Sequence, residues 1–119
     1  MDASARGAHE AGGLVVGVLP DRDLSRMSPY IDIPIRTGLG DARNAINVLS
    51  SDVVVALPGG AGTLSEIALA IKNGKPLVLV GWDLADLVRE HERRGLLARA
   101  ATAEEAGAAV ERFLARGPG

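Results

Sequence analysis

An α/β fold with three α/β/α layers around a mainly parallel sheet is predicted by three observations. Short apolar runs alternate with helical patterns from residue 14 to the end of the chain, and that alternation is how a parallel sheet flanked by helices reads. The central runs are near-continuous in Val, Leu and Ile, as strands covered on both faces are. Glycines stand at the strand-to-helix junctions, where they are compatible with sharp backbone direction changes. The length of 119 residues suits a single domain spanning 1–119.

The elements follow in order. "MDASARGAHEAGG" fits the back half of a helix stopping at Gly12–Gly13, with no strand before it, so the chain is expected to begin after the first strand and turn of such a fold. "LVVGVLP" (14–20) reads as a buried strand, and "YIDIPI" (30–35) as a weaker extended segment demoted by Pro34. "DARNAINVLS" (41–50) places Ala42, Ala45, Ile46 and Leu49 on one helical face. "DVVVALP" (52–58) is a β-branched strand expected to be covered on both faces. "TLSEIALAIKNG" (63–74) is a helix with Leu64, Ile67, Ala68 and Ile71 inward and Gly74 as its stop. Lys72 and Lys75, flanking that stop, suit a helix C-terminus. "KPLVLVG" (75–81) is another buried strand, and "DLADLVREHERRG" (83–95) a charged helix with a solvated face that includes an exposed His91. "LLARAAT" holds a last short strand. "TAEEAGAAVERFLARG" (102–117) is a helix with Ala106, Ala109, Val110 and Phe113 inward and a capping box between Thr102 and Glu105. The final "RGPG" should fray.

Composition narrows function mainly by exclusion. An apolar fraction of 47% with 24% charged residues is that of an ordinary globular domain, and one Trp, one Tyr and one Phe make the core aliphatic. A net charge of −2 gives no footprint for nucleic acid or an anionic membrane. The lack of cysteine excludes disulfides and thiolate chemistry, and His9 and His91 belong to no ligand-spaced cluster. No run approaches a membrane span and the first residues lack the order of a signal peptide, so a cytoplasmic protein is expected.

The stretch "LPGGAGTLSE" (57–66) carries the chemistry. Ligands of open parallel sheets sit beyond the carboxyl ends of strands, where residues 58–63 fall. Gly59, Gly60 and Gly62 can adopt positive φ and let a ligand approach the backbone. The following helix offers free N–H groups around Ala61 to Leu64, and Thr63 adds a hydroxyl, a combination that suits a phosphate. The pattern is neither a Walker A loop nor G-x-G-x-x-G. The competing reading is a tight turn without a ligand. Glu66 has two readings of its own. It closes a capping-box pattern with Thr63, or it faces the sugar or base side of a ligand, since a carboxylate would repel the phosphate itself. Arg43 sits in the first turn of a helix, where the macrodipole disfavours a cation. It either grips an anion, behind the glycine-rich approach "TGLGD" (37–41), or pairs with Asp41. Trp82 either stacks on a base or packs.

"PGGAGTLSE" (58–66) resembles the P-G-G-x-G-T-x-x-E motif of the LONELY GUY proteins, long mislabelled as lysine decarboxylases. The resemblance covers essentially the whole chain, "GAHEAGGLVVGVLP" included, and implies a Rossmann-like fold. Those proteins are cytokinin riboside 5′-monophosphate phosphoribohydrolases, which release a base from a nucleoside monophosphate. Their catalytic pair is an Arg fifteen residues before the motif's Pro and the motif's closing Glu, which here are Arg43 and Glu66. Gly59, Gly60, Ala61, Gly62 and Thr63 would hold the phosphate, and the chemistry needs no metal or organic cofactor. Where the plant-type enzymes have E-R-K-x-x-M, this chain has Asn44 and Asn47 in place of the Lys and Met. The stretch from "TGLGDARN" onward is more similar to a bacterial sister group of Rossmann-like nucleotide-binding proteins and to molybdenum cofactor carriers. The carriers bind a pterin-linked phosphate at the same sheet end without reaction. The resemblance also implies a homo-oligomer, dimer or tetramer, and an upstream first strand with a G-G-G-x-x-G-x-M turn whose Met aligns with Met1. That strand would pair beside 14–19, and its absence would leave an apolar edge exposed.

Overall fold

A computed structural model describes residues 2–117. The alignment of Met1 with an upstream turn, and the part of the expected fraying that concerns Pro118 and Gly119, lie outside the described residues. The strands pair only in parallel, in an α/β Rossmann-like arrangement, but they form two sheets rather than one: β1 with β2, and β3, β4 and β5 in that order. The chain divides into two compact units, Met1–Ile46 and Asn47–Gly119.

In the first unit, α1 (Asp2–Glu10) carries an Arg6–Glu10 ion pair of 2.8 Å one turn apart. It stops where the glycine pair predicts. Gly12 takes a φ of 84°, and Gly13 N donates to the Ala8 carbonyl at 2.8 Å, so orphaned carbonyls are satisfied. Strand β1 (Val16–Leu19) pairs with β2 (Ile33–Arg36) from Val16 opposite Ile33 to Leu19 opposite Arg36. Pro34 is tolerated because a strand in a two-stranded sheet needs donors on one side only. Gly17 opposite it leaves room for Ile31: a Cβ there would lie 2.5 Å from Ile31 Cδ1, so that side chain would have to shift. The connection is held by polar contacts. Asp32 accepts from Val15 N at 2.7 Å, and Ser28 donates its hydroxyl proton to Asp2. Asp23 accepts from the hydroxyl and amide of Ser25 at 2.6 and 3.0 Å, bonds that hold its carboxyl below the ordinary value. After β2, Gly38 and Gly40 have φ of 64° and 58°, and their amides bond back to Asp21 and Pro20. This "TGLGD" turn leads through a 3-10 turn (Gly40–Ala42) into α2 (Arg43–Leu49).

The second unit has three layers of its own. Strands β3 (Val54–Ala56), β4 (Leu77–Val80) and β5 (Leu97–Ala100) pair in register, with Val54 opposite Leu77 and Leu77 opposite Leu97. Because side chains alternate along a strand, Val54, Ala56, Leu77 and Leu79 face one way. They pack with Val48 of α2, Ile67 and Ala70 of α3 (Ala61–Lys72), and Val88 of α4 (Ala85–Arg93). Val78 and Ala100 belong to the opposite layer, with Ala106, Ala109 and Phe113 of α5 (Ala103–Ala115). At the start of α5, Thr102 accepts from Glu105 N at 3.1 Å, and Glu105 reaches back to Ala101 N at 2.8 Å, one residue before the cap amide of an ideal box.

Several sequence expectations are corrected. On α2 the buried positions are Asn44 and Val48, while Ile46 and Leu49 are exposed. On α3 they are Ile67 and Ala70, with Leu64 and Ala68 exposed. The apolar pattern on these short, Ala- and Ile-rich helices leaves the phase ambiguous by one position. Strand β3 is covered on one face only, and Val55 is 40% exposed. His91 is not exposed but 1% accessible, with Nε2 2.7 Å from the Lys75 carbonyl. It ties α4 to the chain after the Gly74 stop, where Lys75 N also bonds to the Ala70 carbonyl at 2.9 Å. The Lys75 ammonium caps α2 rather than α3, donating to the Leu49 carbonyl at 3.1 Å. Among the described residues no helix is long and apolar enough to cross a membrane.

Removing the buried imidazole leaves both a cavity and an unpaired carbonyl. His91→Ala should therefore lower unfolding free energy by about 2 to 4 kcal/mol in urea titration. A loss under about 0.5 kcal/mol, the range of ordinary surface substitutions, would refute the structural role of His91.

Candidate functional site

Strand β3 ends at Ala56, and after four intervening residues α3 begins at Ala61, with Gly60 as its N-cap at φ −104° and ψ −148°. The end of β4 braces this bend. Trp82 Nε1 donates to the Leu57 carbonyl at 3.0 Å, and Gly81, at φ 74°, lets the chain pass so close to Pro58 that a Cβ would lie 3.2 Å from its Cγ. Trp82 packs against the core of the second unit, so of its two readings the packing one holds.

The three glycines of the bend do not use left-handed backbone. Positive φ occurs at Gly12, Gly38, Gly40, Gly74, Gly81, Gly95 and Gly117, and not at Gly59, Gly60 or Gly62. Their freedom is spatial instead. A Cβ on Gly59 would meet Thr63 Oγ1 at 2.5 Å, so glycine is required where the hydroxyl of the next turn folds over the bend. A Cβ on Gly60 or Gly62 would meet nothing within 4 Å. Open space over these two positions leaves the backbone accessible from outside, and residues 57–62 are exposed throughout.

Helix α3 starts three residues earlier than the capping-box pattern implies, with Gly60 rather than Thr63 as its N-cap. The first intrahelical bond runs from Leu64 N to the Gly60 carbonyl at 3.1 Å. The N–H groups of Ala61, Gly62 and Thr63 precede that bond and have no intrahelical acceptor. No side chain caps them at Gly60. They converge with the positive end of the dipole at an exposed surface, which is the arrangement that holds anions. Leu64, by contrast, has its amide committed to the helix.

The early start also moves Glu66 to the sixth residue of α3, beyond the reach of a capping box. The half-buried Glu66 accepts a hydrogen bond at Oε2 from Asn47 Nδ2, at 3.1 Å. Its other oxygen, Oε1, has no partner among the described residues. Asn47 was legible in the sequence only as a departure from the family pattern, one polar residue among Arg43, Asn44 and Ser51 on the same side of the helix.

Arg43 belongs to the first unit. It opens α2, and its guanidinium donates to the Val18 carbonyl at 2.7 Å through Nη1 and to Asn44 Oδ1 at 3.0 Å through Nε. The pairing with Asp41 does not form; the partial negative charge of a β1 carbonyl occupies the cation instead and offsets its unfavourable place at a helix start. Among the described residues no group of three His, Cys, Asp or Glu is placed to hold a metal ion.

The SLOG cluster4 family profile matches residues 1–107. The molybdenum cofactor binding protein from Rippkaea orientalis superposes with a TM-score of 0.85 at 42% identity, over 96% of this chain and 71% of that one. The molybdenum cofactor carrier protein of Chlamydomonas reinhardtii gives a TM-score of 0.80 at 48% identity, over 94% of this chain and 69% of that one. A rice protein (Oryza sativa subsp. japonica) named "Probable cytokinin riboside 5'-monophosphate phosphoribohydrolase LOGL5" is 34% identical over 99 residues, 82% of this chain and 36% of its own. The chain spans 49% and 36% of the length of the curated relatives it matches.

The glycines should separate by substitution. Gly59→Ala should cost about 1 kcal/mol, because the added methyl displaces the Thr63 hydroxyl from its place over the bend. Gly62→Ala, in the first turn of α3 with open space around it, should instead stabilise by about 0.5 to 1 kcal/mol. Urea titrations of the two variants check this, and equal effects would refute the assignment.

Proposed function

The chain belongs to the SLOG cluster4 family, and from that premise we propose that it is a non-catalytic carrier or binding protein for a phosphorylated small molecule, a nucleotide or the molybdenum cofactor. The observation that carries the reading is the exposed bend of Gly59, Gly60, Ala61, Gly62 and Thr63 in front of an uncapped helix start. Three amides and a dipole end form a seat for a phosphate group, and the side-chain-free positions at Gly60 and Gly62 give it room. The molybdenum cofactor binding protein from Rippkaea and the carrier protein from Chlamydomonas, at 42% and 48% identity, support the choice of ligand class. Both residues that a hydrolase would use already have protein partners: Arg43 bonds to Val18 and Asn44, and Glu66 to Asn47. Self-association, as a dimer or tetramer, belongs to this proposal as well; light scattering that gives the mass of a single chain at high concentration would remove it.

The second reading is a nucleoside 5′-monophosphate phosphoribohydrolase, favoured by the 34% identity to the rice protein and by the Arg43 and Glu66 spacing. In that reading Arg43 orients the phosphoribosyl group. Glu66 stabilises the positive charge that develops at the sugar as the N-glycosidic bond breaks and water attacks.

Incubation with AMP and related monophosphates, followed by chromatography for free base, separates the two. The carrier reading predicts no base release, together with a higher melting temperature; ligand at about a hundredfold its Kd adds about 2.7 kcal/mol of stability. Gly62→Asp should keep the fold, since an acidic residue suits a helix start, yet lose that ligand-induced stabilisation. Base release abolished in Arg43→Ala and Glu66→Ala would establish the hydrolase and overturn the carrier reading.

A further inference from the structure

Asn47 and Glu66 are nineteen residues apart in sequence and meet through a single hydrogen bond, Asn47 Nδ2 to Glu66 Oε2 at 3.1 Å. Both are half-buried. An amide nitrogen is a donor with no charge, so it orients a carboxylate without neutralising it. Glu66 is not in a closed ion pair, and its Oε1 remains an acceptor with no protein partner among the described residues.

The place of Glu66 on α3 limits what Oε1 can meet. Glu66 lies five residues beyond Ala61, roughly 7.5 Å along the axis at 1.5 Å per residue. Helical side chains lean toward the N-terminus, which is the end of α3 at which the bend lies. A carboxylate repels the phosphate itself. About one sugar ring beyond the phosphate, however, a ligand presents neutral hydroxyl groups, which a carboxylate accepts strongly.

Resting on the phosphate-binding reading, we propose that Asn47 is a positioning residue: it fixes the Glu66 carboxylate so that Oε1 accepts a hydrogen bond from a ring hydroxyl of the bound phosphate ester. The pair thereby selects phosphorylated ring polyols over simple phosphates. Glu66 acts as an acceptor for the ligand, and Asn47 sets its rotamer.

The test compares ribose 5-phosphate with methyl phosphate by isothermal titration on the full chain. Wild type should bind ribose 5-phosphate on the order of tenfold more tightly, the effect of one hydrogen bond to a charged group. Asn47→Leu and Asn47→Ala both remove the donor without adding a charge beside Glu66 and should bring the ratio close to one, leaving methyl phosphate affinity within about twofold, as expected for separate contacts. In a Glu66→Ala background, Asn47→Leu should change nothing further, which a merely structural asparagine would not satisfy. A ratio unchanged in both Asn47 variants overturns the inference. Equal binding of the two ligands by wild type also overturns it, while leaving the phosphate seat standing. Binding of neither ligand removes the phosphate-binding reading and this inference together.

Discussion

Three backbone N–H groups at the start of α3 have neither an intrahelical carbonyl nor a side-chain cap. Helix starts are ordinarily covered by Ser, Thr, Asp or Asn; here the capping position is Gly60, and Ala61 and Gly62 follow it. The body of the helix is fixed by Ile67 and Ala70, both buried against β3 and β4, and by its Gly74 stop. The amides are therefore held in place before any ligand arrives. They carry the roughly half-unit positive charge of the helix end into an exposed bend. A phosphate meeting them need not order a flexible loop, so little of the interaction energy is lost to entropy.

The surrounding residues follow from that constraint. Thr63 can fold its hydroxyl over the bend because position 59 has no side chain. Trp82 and Gly81 at the end of β4 hold Leu57 and Pro58, so the exit of β3 and the start of α3 keep a fixed relation. Glu66 escapes a capping role because α3 begins two residues before Thr63, and its carboxylate turns to Asn47 instead. The same helix start thus leaves three amides uncapped and keeps Glu66 out of a capping box.

Strand and helix order were legible because apolar runs alternate with helical patterns and many of the junctions carry a glycine or proline. Among the described residues the strands and helices fall in the predicted order, with α3 starting earlier than its pattern implies. Helix phase was less legible: α2 buries Asn44 and Val48, and no hydropathy pattern would choose an asparagine for the inner face. His91 read as exposed because it lies in "REHERR", yet its imidazole satisfies a carbonyl created by the turn after Gly74, a partner sixteen residues away. The glycine bend stands out in the sequence, but of the two freedoms its glycines offer, positive φ is not used, while open space over Gly60 and Gly62 is. A sequence records that a side chain is absent, and only the backbone path tells whether dihedral freedom or clearance required it. Asn47 acquired meaning only from its partner, nineteen residues on.

The most direct measurement is amide-resolved NMR of the 15N-labelled chain titrated with inorganic phosphate at constant ionic strength. Saturable shifts concentrated at the amides of Ala61, Gly62 and Thr63, with Leu64 moving less because its proton already bonds to Gly60, are what the helix-start seat predicts. Shifts that leave those three amides in place while others saturate, or no saturable shift at all, would contradict it.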